Sequence, residues 1–307
     1  MALQSSGQIT LQDIGTELGV GVANLSLASM SDTAGFSEPD AMTDFYGYSA
    51  SVANDYYWRF TGSQGLGFTR GGTAQQSNND LSVSMWIRPE WATTDVNAML
   101  CMISPDATVT TNRFFIMYDY GLNRFILRQR TNGVNSRGTH FSLSDSGNYA
   151  VTGTGGGKWT GANRGDVNSD GFAHITVTFD YSATSGAAAF KMYWNGSELP
   201  NTISNLTGTL TTFNYNHVYI NKSNNNTTNS RDAKYDNYAI FNNKLLSDTE
   251  VDNLYNGGSS IIPSEAGEDD NVMFLFDSET SSATAVDGDD YSTTWTNNFS
   301  TGSRTAY

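Results

Sequence analysis

The most regular stretch of the chain is 81–87, where Leu81, Val83, Met85 and Ile87 alternate with Ser82, Ser84 and Trp86 ahead of Pro89. A period of two marks a β-strand with one buried face, and proline, lacking an N–H, ends it. Short runs of similar character recur at 56–60, 113–118, 123–130, 174–180, 188–194, 217–221, 235–241 and 273–276, separated by stretches rich in Gly, Asn, Ser and Asp. Many short strands joined by turns predict an all-β jelly-roll sandwich of two antiparallel sheets. The pair Asn195-Gly196 after Phe190-Lys191-Met192-Tyr193-Trp194 predicts a tight hairpin, because both residues tolerate positive φ. One helix interrupts the pattern. Ser247-Asp248-Thr249-Glu250 has the form of a capping box, Val251, Leu254 and Tyr255 share a face, and Gly257-Gly258 stops it.

The first fifty residues carry little strand pattern, so they are expected to form a short helical or extended segment, 1–50, attached to a domain over 51–307. Thr10 can cap a helix over 11–18 that places Leu11, Ile14 and Leu18 on one face. A second helical signal opens at Ser37-Glu38-Pro39-Asp40 and aligns Met42, Phe45 and Tyr46. Helices of about two turns are marginal alone. These six apolar residues are therefore the candidate docking face toward another body, with cover for the edge of the following sandwich as the alternative.

Composition fits this picture. The chain has 307 residues, with 16 Phe, 16 Tyr and 6 Trp to fill a core, while only 15% of residues are charged. Sixteen Lys and Arg against 31 Asp and Glu give a net charge of −15, which repels a phosphate backbone and argues against nucleic acid as a partner. No apolar stretch reaches membrane-spanning length, and the opening Met-Ala-Leu-Gln-Ser-Ser-Gly-Gln lacks the pattern of a secretory signal. Synthesis in a cytoplasm is the expectation. The single Cys101 sits in the apolar run Met99-Leu100-Cys101-Met102-Ile103 and is expected to be a buried hydrophobe.

Four segments, in order, resemble the laminin-G/pentraxin branch of concanavalin-like folds across 55–280. Leu81-Ser82-Val83-Ser84-Met85-Trp86-Ile87-Arg88-Pro89 resembles that family's early "SVSFWIKP" strand. Asp170 to Asp180 resembles "DGxWHHVAVTYD", with Phe172 in place of the Trp and Ala173 in place of the first His. Phe190 to Gly196 resembles the "xLYVNG" hairpin, and Tyr235 to Gly258 resembles "IDEVRIYNRALSxEEIxxLYNGG". The N-terminus is similar to openings of tailed-phage virion proteins, through Leu3-Gln4-Ser5-Ser6-Gly7-Gln8-Ile9-Thr10-Leu11-Gln12-Asp13-Ile14 and Asp44-Phe45-Tyr46-Gly47. Together the two resemblances imply a virion structural protein, synthesised in the host cytoplasm: a decoration protein, fibre or adhesin. Its N-terminal segment would bind other virion proteins and its lectin-like domain host surface glycan. By analogy, a cyclic homo-oligomer such as a trimer is expected.

Catalysis is not expected. Retaining glycosidases of this fold need two carboxylates about 5–5.5 Å apart, which a strand supplies at even spacing. Glu90, Glu198, Glu250 and Glu279 are isolated, Glu265 and Glu268 share a loop, and Asp287, Asp289 and Asp290 share a turn. Carboxylates drawn from different loops would give the alternative, a glycan depolymerase; a purely structural cementing protein is the third reading. His140, His174 and His217 show no triad or zinc spacing. Calcium is the one cation with a sequence signal: Asp166-Val167-Asn168-Ser169-Asp170-Gly171 repeats the first half of a D-x-N-x-D-G loop, but the twelfth position is Val177 and a strand follows instead of a helix, so a simple Asp/Gly turn is the favoured reading. Under the family resemblance, Asp180 and Asp236 beside Asn237 are further calcium candidates. For glycan, Trp91, Trp159 and Tyr215 are the candidate stacking rings, set against the alternative that they cap the core.

Overall fold

The computed structural model describes residues 10–17, 26, 27, 30, 56–70, 75–76, 80–91, 97–105, 112–131, 133–142, 159, 170–199, 206–208, 214–223, 229–263, 266–268, 271–276, 285–286, 294–300 and 303–306. The chain divides into two compact units, Met1–Ala53 and Asn54–Tyr307.

In the first unit, helix α1 (Leu11–Glu17) starts as its sequence requires. Thr10 Oγ1 accepts from the Asp13 N–H at 3.2 Å, and the Asp13 carboxylate accepts in return from the Thr10 N–H at 2.8 Å. Of the expected docking residues, Leu11 is exposed, whereas Ile14 is wholly buried and offers no surface to a partner. Leu18, Met42, Phe45 and Tyr46 lie outside the described residues.

The second unit is a jelly-roll sandwich. Its longer strands are β1 (Tyr56–Phe60), β2 (Leu66–Arg70), β3 (Leu81–Pro89), β4 (Asn97–Ser104), β5 (Arg113–Asp119), β6 (Arg124–Thr131) and β7 (Val134–Ser142). They continue with β8 (Ala173–Phe179), β9 (Phe190–Trp194), β10 (His217–Ile220), β11 (Ala233–Asn242), β12 (Val272–Phe276), β13 (Thr294–Ser300) and β14 (Ser303–Ala306). The first sheet runs β14-β1-β11-β3-β8-β9, with β12 sharing the outer side of β11 with β1. The second runs β13-β2-β10-β4-β5-β6-β7. Strand β12 pairs through Ala285–Val286 to β13, joining the sheets along one side. Every pairing is antiparallel.

Between the sheets lies the core, where Val83, Met85, Ile87, Ile175 and Val177 of the first sheet meet Phe68, Leu100, Ile116, Leu127 and Val218 of the second. Cys101 belongs to this core, and burial pushes its thiol up to about 12, which leaves it protonated and inert. The alternation in β3 is real, but both of its faces are buried. Helix α3 (Asp248–Tyr255) closes the outer face of the first sheet: Val251 and Leu254 pack on Tyr193, Ala239 and Phe241, and Tyr255 packs on Trp86. The predicted capping box is present, with Ser247 Oγ accepting from the Glu250 N–H and Glu250 accepting from the Ser247 N–H. The Asn195-Gly196 hairpin also forms, at φ 48° and 78°. All described non-glycine residues with positive φ are asparagines, the side chain that best tolerates the left-handed region, so the Asn-rich composition reflects turn geometry.

Candidate functional site

The ring of Trp159 is enclosed by Trp91, Tyr118, Phe125 and Trp194, with centroids 5.1, 5.6, 5.4 and 5.2 Å away. Its backbone N–H donates to the Tyr118 hydroxyl at 2.9 Å, and the Trp91 indole donates to its carbonyl. Both tryptophans are buried, 2% and 0% exposed, so neither offers a face to a sugar. Their expected glycan role is thus corrected to a core role: five aromatics tie the end of β3 to β5, β6 and β9. Tyr215 stands in a two-residue strand paired with Gln75–Gln76.

Among the described residues, the expected calcium ligands do not form a group of three or more. Asp180 Oδ1 accepts from the Ser182 N–H and hydroxyl, both at 2.7 Å, and from the Ala183 N–H at 3.2 Å, which makes it a turn cap. Asp236 is wholly buried within β11, opposite Trp86, while Asp170 is exposed at the start of β8. Asp166 and Asn168 lie outside the described residues. Among the described residues, no group of three or more Asp, Glu, His or Cys is placed to hold a metal ion.

The described glutamates of the sandwich are each engaged by cations. Glu90 meets Arg59 at 3.1 Å, Lys234 at 3.5 Å and Arg88 at 3.9 Å. Glu198 meets Lys191 at 2.9 Å, and Lys244 meets Glu250 at 2.9 Å and Glu268 at 3.5 Å. On Glu250, two Ser247 hydrogen bonds and Lys244 outweigh burial and hold the carboxyl down at about 2. Glu250 and Glu268 thus share Lys244, while Glu90 and Glu198 are held elsewhere by other cations.

His174 lies in the row Asp236, Trp86, His174 across the outer face of the first sheet. Its Nε2 is 2.8 Å from Ser84 Oγ, its Nδ1 has no partner among the described residues, and the ring lies 5.0 Å from Trp86 and 6.1 Å from Tyr255. Burial drives its pKa down to about 3. Sealed and neutral, it packs the sheet against α3.

The second sheet differs on its outer face. Strand β6 alternates Phe125 and Leu127, directed into the core, with Arg124, Ile126, Arg128 and Arg130, directed outward. Register places Arg113 opposite Arg130, Phe115 opposite Arg128, and His140 opposite Ile126. The Arg113 guanidinium sits 5.0 Å above the Phe115 ring, and Arg128 contacts His140 Nε2 at 3.0 Å. Only Arg124 of this group has a carboxylate, Asp119 at 3.2 Å; no ion pair is formed by Arg113, Arg128 or Arg130 among the described residues. Arg130 Nε donates to the Gly133 carbonyl at 2.7 Å. The Nε atoms of Arg113 and Arg128 and the Nδ1 of His140 are buried without a hydrogen-bond partner. Burial, then the neighbouring arginines, lower the pKa of Arg113 and Arg128, and the same causes take His140 down to about 4 despite the opposing pull of Asp119. Sequence reading overlooked this group. Its signal is the even spacing of Arg124, Arg128 and Arg130 along one strand, but the partner positions on β5 and β7 come only from register.

The sequence profile described as the concanavalin A-like lectin/glucanases superfamily matches residues 60–252. The chain belongs to this superfamily. Among solved structures, this lectin-like chain is similar to a heptameric SAP-like pentraxin from Limulus polyphemus, with 11% identity over 67% of this chain and 84% of that one, TM-score 0.44. It is also similar to a protein from Bacteroides ovatus described as carbohydrate-binding, at 10% identity over 85% of this chain and 61% of that one, TM-score 0.48. A botulinum neurotoxin type C structure, titled for cell entry dependent on two ganglioside molecules, shares 17% identity over 59% of this chain, TM-score 0.35. The aligned part is 36% of the neurotoxin chain. No curated protein sequence matches the chain.

Proposed function

We propose that this is a non-catalytic virion structural protein, a decoration protein, fibre or adhesin, whose jelly roll binds host surface glycan while residues 1–50 attach it to the particle. The observation that carries the glycan half is membership of the lectin-like superfamily over 60–252, together with glutamates held by Arg or Lys partners. A carboxylate fixed in this way is poorly suited to act as a protonated acid or a free nucleophile. The particle half rests on the N-terminal similarity to tailed-phage virion openings and on a separate compact unit ending at Ala53. A glycan array with the purified protein should show selective binding, and incubation of host polysaccharide with it should release no reducing ends. Release of reducing ends would establish the depolymerase reading, and binding to no glycan would leave the cementing one. Deletion of residues 1–50 should abolish incorporation into particles and leave the sandwich folded; normal incorporation would overturn the attachment role.

A further inference from the structure

We infer that the outer face of the second sheet around Arg113, Arg128, Arg130 and His140 is a binding site for the carboxylate or sulfate group of an acidic glycan. The glycan part rests on the reading above; the anion part stands on geometry alone. In a chain of net charge −15, three arginines without a carboxylate partner among the described residues occupy neighbouring same-face positions of β5 and β6, with Arg113 opposite Arg130. Like charges directly opposite one another destabilise a sheet, so the arrangement works against the fold unless an anion relieves it.

The hydrogen-bond inventory points the same way. A guanidinium is purely a donor, and buried donors without acceptors are costly enough to be rare. Here Arg113 Nε and Arg128 Nε are two such atoms, and the neutral His140 adds a third nitrogen without a partner at Nδ1. Because Arg128 donates to His140 Nε2, that ring must carry its proton on Nδ1, which makes it another donor. What this face lacks is acceptors. A planar carboxylate or a sulfate supplies several oxygens in the spacing that arginine forks match. Access is preserved because Arg113, Arg128 and Arg130 are each only partly buried. Phe115, with Arg113 already over its ring, holds one guanidinium in place from below.

Isothermal titration with a polygalacturonate hexasaccharide, a heparin hexasaccharide, maltohexaose and inorganic sulfate tests this. The wild-type protein should bind one or both acidic hexasaccharides more tightly than maltohexaose, with affinity falling as salt rises. Arg128→Gln should weaken acidic binding by at least about tenfold, and Arg59→Gln, whose guanidinium pairs with Glu90 on the first sheet, should leave it unchanged. Arg113→Gln makes the same test if Arg128→Gln fails to fold, as judged by circular dichroism. Preference for polygalacturonate would identify the carboxylate as the group read, and preference for heparin the sulfate. Maltohexaose binding that is indifferent to Arg128→Gln, with no acidic preference, would overturn the anion site and leave glycan recognition standing. A sulfate-induced rise in Tm that disappears in Arg128→Gln, with no hexasaccharide bound, would uphold the anion site and overturn its glycan occupant.

Discussion

Lowering the pH from 7 to 5 should destabilise the sandwich through His174, and the size of the effect follows from where the ring sits. A histidine in an unfolded chain titrates near 6.5, whereas burial between Trp86, Ser84 and Tyr255 takes His174 to about 3. Between these values the unfolded chain binds a proton that the folded chain refuses. Stability is therefore full above pH 6.5 and declines as pH falls, with a slope of about 1.4 kcal/mol per unit for one such group. From pH 6.5 to 5 the loss from His174 is about 2 kcal/mol. His140, held at about 4, contributes a parallel loss over the same interval. The assay is urea unfolding at pH 7, 6 and 5, followed by tryptophan fluorescence, because all six tryptophans lie within Asn54–Tyr307. Across the range the wild type should lose about 2 kcal/mol more than His174→Gln. The carboxylates are the same in both proteins, so the comparison isolates the contribution of His174. If the two proteins lost equal stability between pH 7 and 5, the account of a sealed neutral imidazole would be wrong.

Three further substitutions probe the packing. Trp159→Ala should cost about 3–5 kcal/mol in urea unfolding, because it empties the centre of the aromatic cluster formed with Trp91, Tyr118, Phe125 and Trp194. Gly186→Ala should cost about 1–3 kcal/mol by the same measurement, since a Cβ there would overlap the Gly138 carbonyl where the short helix α2 (Gly186–Ala189) meets β7. Ser247→Ala should cost about 0.5–2 kcal/mol through loss of the α3 cap, and Ser247→Asn should recover most of it.

The sandwich was legible in the sequence wherever one strand face differed from the other or a turn demanded a particular residue. Alternation found β3, Asn195-Gly196 found the β9 hairpin, and the Ser247/Glu250 pair found α3. Strand β4 was hidden because both its faces are buried, so that Met99 to Ile103 reads as an unbroken apolar run. Strand β7 was hidden for the opposite reason: Val134, Asn135, Ser136, Arg137 and Gly138 carry too little hydrophobic pattern to stand apart from a loop. The candidate site was less legible than the fold. Trp91 and Trp159 look like loop aromatics because they fall outside recognisable strands, yet the ends of a sandwich need capping as much as its middle needs filling. Asp180 and Asp236 stood as calcium candidates through the family resemblance alone, and hydrogen bonding explained them equally. In three dimensions one oxygen of Asp180 is spent on its own turn, and Asp236 is enclosed beneath the first sheet's outer layer.

The two sheets of the sandwich have been finished differently, and that asymmetry bears on where recognition can occur. On the first sheet, polar outer positions such as Ser82, Ser84, Thr176 and His174 are covered, and their hydrogen bonds run inward, Ser82 to the Lys244 carbonyl and Ser84 to His174. Protonating His174 there would bury a charge, so this face resists ionisation. On the second sheet the outer positions include arginines that are half-buried, mutually repulsive and short of acceptors. The mutually repelling arginines of β5 and β6 are the ground for the anion site proposed on the second sheet, and the sealed imidazole makes the first sheet a source of stability.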